Sequence, residues 1–267
     1  MLHQILQVVF VVVCLSHSVS AGSPDLKRVS AVKDAGEREV TVEDVRKLLL
    51  RQQLRCQPGT IGRVSLLAFD EVRNAVGVSK QTHEHLAEMV KMLQEKSHQE
   101  LVQLSGGSSG RQRELTEADV LTVTKLVEGW MKEIDIQVES IVPERPRSDL
   151  LAIQFVLLGA EVFIDPAFQS HVSCSKKERA DIEEERNRFL NEYFAVNDPL
   201  LPVPVPELDG QSTVALAQEL TRRLTSTCDA ATKHEIDKLE TRGDELVSLL
   251  ERLRGSASSS FAIPEKE

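Results

Sequence analysis

Aromatic residues are scarce: one tryptophan, one tyrosine and eight phenylalanines make up 4% of the 267 residues. Surfaces that stack sugars or nucleobases need exposed rings, so carbohydrate and base-stacking platforms are disfavoured. Positive charge is also in deficit. Lysine and arginine number 32 against 42 aspartates and glutamates, a net charge of −10. The densest basic cluster, Lys176, Lys177 and Arg179, is followed at once by Asp181, Glu183, Glu184 and Glu185. Nothing here grips a phosphate backbone or an anionic membrane surface, and no nucleic-acid partner is expected.

Reactive constellations are missing as well. There is no Gly-x-Ser-x-Gly elbow, no phosphate loop and no Rossmann glycine pattern. His83, Glu84, His85 and Glu88 suggest metal ligands on a helix, but histidines two apart point about 200° away from each other, whereas a zincin needs them four apart on one face. No cofactor, no metal and no enzymatic activity are expected. Asn74, Asn187, Asn191 and Asn197 lack the hydroxyl residue two places on that a glycosylation sequon requires.

What is present begins at the N-terminus. Ile5–Leu15 is apolar apart from Gln7 and leads to Val19-Ser20-Ala21, the pattern of a signal peptide over 1–21 cleaved before Gly22. The protein is therefore expected outside the cell or in the lumen of a secretory compartment, with no transmembrane segment after cleavage. Removing this segment discards Cys14 and leaves Cys56, Cys174 and Cys228. In an oxidising compartment one disulfide and one spare cysteine are expected, the pairing being unreadable from sequence.

Residues 22–40 carry no period and read as a disordered leader. An α-helical domain follows over 41–254. Thr41 with Asp44 resembles a capping box opening a helix that ends near Cys56, before Pro58 and Gly59. A second helix is expected over about 62–76, ended by Gly77. Ser79 caps a third reaching Leu104. The Gly/Ser stretch 105–110 is a flexible connector and a candidate subdomain boundary. Val120, Val123, Val127, Trp130, Ile134 and Val138 predict a helix over 116–142, ended by Pro143 and Pro146. Ser175 with Glu178 makes another capping box, opening a charged helix to Phe194.

Leu150–Ile164 (LLAIQFVLLGAEVFI) is apolar at twelve of fifteen positions, so a helix built from it is hydrophobic nearly all round and has to be buried. It falls short of the roughly 20 residues a bilayer span takes. The neighbouring helices are amphipathic, so the expected fold is all-α: a helical bundle of about seven helices around this central apolar helix. After a proline-dense linker over 199–206, residues 212–253 form a long C-terminal helix or a helical hairpin. A straight helix would extend roughly 60 Å against a globule about 45 Å across. The poor helix formers Thr225, Ser226, Thr227 and Asp229 favour a break into two antiparallel helices. A dimerising coiled coil after Ile236 is the rival reading. Residues 255–267 read as a disordered tail.

Two polar residues interrupt the central stretch. Gln154 and Glu161 are seven apart and so share one line of an uninterrupted helix. Buried, they form a candidate ligand-binding pair that grips the polar head of an apolar molecule; otherwise that line faces water. The function expected is that of a secreted, non-enzymatic protein that binds a protein partner through exposed helix faces. The alternatives are a carrier of a fatty acid or similar apolar small molecule, and a peripheral membrane-binding protein.

Overall fold

The computed structural model describes residues 41–54, 56–104, 117–194 and 210–259. The signal segment, the leader, the Gly/Ser and proline-dense stretches and the tail beyond 259 lie outside these residues. Among the described residues there are ten α-helices, one 3₁₀ turn and no strand. The helices are α1 (Val42–Leu54), α2 (Gly59–Leu66), α3 (Asp70–Val76), α4 (Lys80–Leu104), α5 (Glu117–Ile141), α6 (Glu144–Leu158), α7 (Pro166–His171), α8 (Lys176–Phe194), α9 (Gly210–Thr227) and α10 (Ala230–Ser259). The 3₁₀ turn is Gly159–Val162. No described helix is long and apolar enough to cross a membrane.

Two compact units result. Among the described residues one covers 84–104 and 117–141 and so holds most of α4 and all of α5; the other joins 41–54 and 56–83 to 142–194 and 210–259. The helices that flank the Gly/Ser stretch thus belong to one unit. In that unit Val90, Leu93, Trp130, Ile134 and Val138 are buried, and Lys96 reaches Glu133 across the two helices.

In the larger unit α6 is the axis. Asp149 to Phe155, Leu157 and Leu158 are all buried, with α10 its most extensive partner and α1, α2 and α3 adding to the cover. Phe155, Phe163 and Phe168 cluster with ring centroids 5.0–6.0 Å apart. A single buried leucine or phenylalanine is worth about 1.5–3 kcal/mol, so this stretch holds much of the unit's hydrophobic free energy. Glycine sets how closely α10 approaches. A Cβ at Gly243 would collide with the Ala152 carbonyl oxygen and stand 2.5 Å from Val156 Cγ2.

The axis is not the single rod of 150–164 expected from hydropathy. It starts earlier, because Pro143 sits at the N-cap and Pro146 in the first turn, where the missing N–H would have had no intrahelical partner. It stops earlier, because Gly159 takes φ +55°, a conformation that L side chains rarely adopt. Asp165 then caps α7 by accepting from the Ala167 N–H at 2.9 Å. The helix expected over 62–76 is likewise two, since the chain turns at Leu67–Phe69 and Phe69 is extended. These two extra breaks, with the one near Thr225–Asp229, raise the count from about seven to ten.

The break near Thr225–Asp229 is present, and Asp229 caps α10 by accepting from the Thr232 N–H at 2.8 Å. The two helices it separates do not pair with each other along their lengths. α9 packs on α8, α1 and the 3₁₀ turn, whereas α10 packs on α6 and α3. An antiparallel pair would have left α6 without its cover. α10 also continues to Ser259, five residues into the segment read as tail.

Capping follows the sequence closely. Thr41 and Asp44 exchange bonds, Thr41 N–H to Asp44 Oδ2 at 2.9 Å and Asp44 N–H to Thr41 Oγ1 at 3.2 Å. Ser79 Oγ accepts from the Thr82 N–H. Ser175 N–H donates to Glu178 Oε2 at 2.8 Å and Glu178 N–H to Ser175 Oγ at 3.2 Å. Glu178 does more, accepting from the Asp229 N–H at 3.0 Å through Oε1 and so tying α8 to the α9–α10 corner. Burial pushes this carboxyl up, but the bonds from Asp229, Ser175 and Thr232 together outweigh it and hold the pKa at about 2. A depressed carboxylate stabilises the fold above its unfolded pKa and loses that contribution as pH falls. Acid titration followed by circular dichroism should therefore show Glu178→Gln losing stability less steeply than wild type between pH 4.5 and about 2; parallel curves would remove Glu178 from the acid transition.

Candidate functional site

Gln154 is wholly buried, but protein groups occupy its amide. Its Nε2 donates to the Gln57 carbonyl at 2.6 Å and to the Gly59 carbonyl at 3.1 Å. Its Oε1 accepts from Arg63 Nη1 at 3.0 Å. Arg63, itself buried, also donates to Asp165 Oδ2 at 2.5 Å and to Thr60 Oγ1 at 2.7 Å. This is a buried network in which a charge pair and an amide satisfy one another across α2, α6 and the start of α7.

Glu161 stands elsewhere. It accepts from Arg51 Nη2 at 2.7 Å, both side chains being about four-fifths covered. Gly159 interrupts α6 between the two positions, so the shared line of a continuous helix does not exist and Gln154 and Glu161 hold separate partners. The arginines that meet them were not singled out from sequence. For Arg63 a signal exists: Ile61, Val64, Leu66 and Leu67 leave its short helix no polar face.

The second stretch of exposed geometry lies between α1 and α10. Leu49 and Leu50 floor an open groove of about 1120 Å³, rimmed by Arg46, Gln53, Asp244, Glu245, Glu251 and Arg254 among others. α1 packs on α6 and α9, and long polar side chains reach between it and α10. Lys47 meets Asp244 at 2.5 Å, Arg46 meets Glu251 at 3.7 Å, and Arg254 donates to Gln53 at 2.9 Å. Leu49 is left 53% exposed and Val42 80% exposed, and residues seven apart lie on one line of a helix. α1 therefore shows water an apolar line.

A further cavity of about 500 Å³ opens beside the C-terminal end of α6. Leu48, Phe155, Val156, Leu157, Leu158, Val214 and Ala217 give it apolar walls, and Lys47, Arg51, Arg222 and Lys233 line it together with the carboxylates of Asp44 and Glu240. Neither Gln154 nor Glu161 lines it.

On the outer side, Arg223 bridges α9 to α8. Its guanidinium meets Glu192 at 2.7 Å and Glu219 at 2.8 Å and lies over the Phe189 and Tyr193 rings at 5.4 and 5.6 Å. The hydrogen bond from Arg223 holds the Glu192 carboxyl below its ordinary range, and that from Arg222, joined by Arg223, lowers Glu219 against the opposing effect of burial. Arg222 and Arg223 are both paired with carboxylates of this chain, a partly exposed salt-bridge network of modest energetic worth.

Cys56, Cys174 and Cys228 are buried, unbonded thiols. Burial pushes Cys56 up to about 12 and Cys228 up to about 11, and raises Cys174, so none is an activated nucleophile. His83, Glu84, His85 and Glu88 fall on the first turns of α4, and among the described residues no group of three or more His, Cys, Asp or Glu side chains could hold a metal ion. No protein-family model, no curated protein and no solved structure matches this chain.

Proposed function

We propose that this is a secreted, non-enzymatic interaction protein that binds a partner protein through exposed helix faces, chiefly the α1–α10 groove. The observation that carries the reading is the apolar line of Val42 and Leu49 beside an open groove bridged by long polar side chains. Such a groove suits an amphipathic helix, which lays anchors spaced three and four residues apart onto an apolar floor between charged rims. Both signs of charge rim it, which favours a partner helix carrying both. The export part of the reading rests on the signal-like segment 1–21.

Covering the exposed half of Leu49 is worth about 1 kcal/mol, and a carboxylate there adds a desolvation cost. Leu49→Glu should therefore weaken partner binding about tenfold or more while leaving the melting temperature unchanged, because the side chain already faces water. Cross-linking mass spectrometry on material from the native compartment supplies the readout: links from a stoichiometric partner should map to α1 and α10 and disappear in the variant. Links that survive Leu49→Glu, or that map to other helices, would overturn the choice of groove.

A second reading, a carrier of a fatty acid or similar apolar molecule, is favoured by the cavity at the end of α6, which sets apolar walls beside four cationic side chains and two carboxylates. Native mass spectrometry of the protein from its source separates the two, since a carrier retains bound lipid and a scaffold has the mass of the chain alone.

A further inference from the structure

We propose that Cys174 and Cys228 form the disulfide of this chain, and that Cys56 remains a thiol. Of the four cysteines, the three in the described residues, Cys56, Cys174 and Cys228, allow three pairings, and the fold separates them. Cys174 precedes the N-terminal turn of α8, and Cys228 follows the last residue of α9. Their neighbours are bonded directly to one another: Glu178, in the first turn of α8, accepts from the N–H of Asp229, the residue after Cys228. The Cys174 carbonyl is itself held by Arg179 Nε at 3.2 Å, so both backbones are fixed at one corner. Within that corner each thiol is near enough to act on the other electrostatically. Cys56 stands apart, among Arg51, Glu161 and Arg63.

The reaction is an exchange with a low-molecular-weight disulfide such as oxidised glutathione. One thiolate attacks a glutathione sulfur and expels one glutathione thiolate, giving a mixed disulfide; the second thiolate then attacks the protein sulfur of that bond and expels the other. Two protein thiols are oxidised to one disulfide, and one glutathione disulfide is reduced to two thiols, which take up the protons released. Both cysteines are buried in the folded chain, so the bond forms while the chain is folding or open, and once formed it is shielded from reductant. It closes a loop containing all of α8 and α9 and fixes the start of one to the end of the other. The inference does not depend on what the α1–α10 groove binds.

The test refolds the full chain carrying Cys14→Ser from denaturant in a glutathione redox buffer, alkylates it after unfolding without reductant, and maps the peptides. One cross-linked peptide joining Cys174 to Cys228 is expected, with alkyl label on Cys56. A link involving Cys56, or label on all three cysteines, would overturn the assignment. Stability gives a second readout: a loop of this length should raise the melting temperature by about 5–10 °C over the reduced chain. Cys56→Ser should keep that difference between oxidised and reduced samples, and Cys174→Ser and Cys228→Ser should each abolish it. A gap that persists in Cys174→Ser would equally refute the pairing.

Discussion

Arg63→Met should destabilise the larger unit by about 3–5 kcal/mol, the range found when one member of a buried ion pair is removed and the other left uncompensated. The guanidinium meets Asp165 at 2.5 Å, and it also meets the Gln154 amide oxygen and the Thr60 hydroxyl. Methionine matches much of its volume and none of its hydrogen bonds. Domains of this size are stable by about 5–15 kcal/mol, so the variant approaches the unfolding threshold. Urea titration monitored by far-ultraviolet circular dichroism reads the loss. The double variant Arg63→Met/Asp165→Asn should recover a large part of it, because the stranded charge is gone while a side-chain oxygen still accepts from the Ala167 N–H. A loss below 1 kcal/mol in the single variant would mean that water reaches Asp165 and that the network is not closed.

Gly243→Ala is the second large effect, and its sign is the informative part. In an open helix this change stabilises by about 1 kcal/mol, because alanine has the better helix propensity. At Gly243 the new methyl meets the Ala152 carbonyl and the Val156 side chain, both on the axis helix, so α10 has to shift outward along its most extensive contact. Overpacking of this kind costs about 1–3 kcal/mol, sometimes more, and a net loss of about 2 kcal/mol, or about 4–8 °C in melting temperature, is expected. Gly129 supplies the control. It is helical, exposed and has nothing within 4 Å of the position a Cβ would take, so Gly129→Ala should stabilise α5. If both variants move in the same direction, the close approach of α10 to α6 is not what Gly243 provides.

These residues also mark what could be read from the chain before its structure was known. Helix starts were legible because they are local: Thr41 with Asp44, Ser79, and Ser175 with Glu178 need only a side chain and an N–H three residues away. The burial of Leu150, Phe155, Leu158 and Phe163 was legible too, since a stretch without a polar face has nowhere else to go. Pro146 misled, because proline ends a helix from within and begins one from its first turn, and only the register of α6 tells which. Gly159 misled in the opposite way: a glycine in an apolar run reads as a tolerated small residue until its φ turns positive. The candidate pair of Gln154 and Glu161 depended on that helix continuing. Arg63, Asp165 and Arg51 were out of reach for a different reason, as each takes its role from a partner about 90 to 110 positions away. The exposure of Leu49 was hidden because it stands between Leu48 and Leu50, and the sequence does not show which of the three faces the core.

The order in which the larger unit can assemble follows from its being made of two sequence-distant segments. The axis helix ends at Leu158, but its main cover, α10, extends to Ser259. At a synthesis rate of about 5–20 residues per second, roughly 100 further residues leave that greasy segment waiting some 5–20 s for its lid. A nascent chain in this interval displays the kind of surface that holdase chaperones take up, and its productive collapse is deferred until α10 has been made.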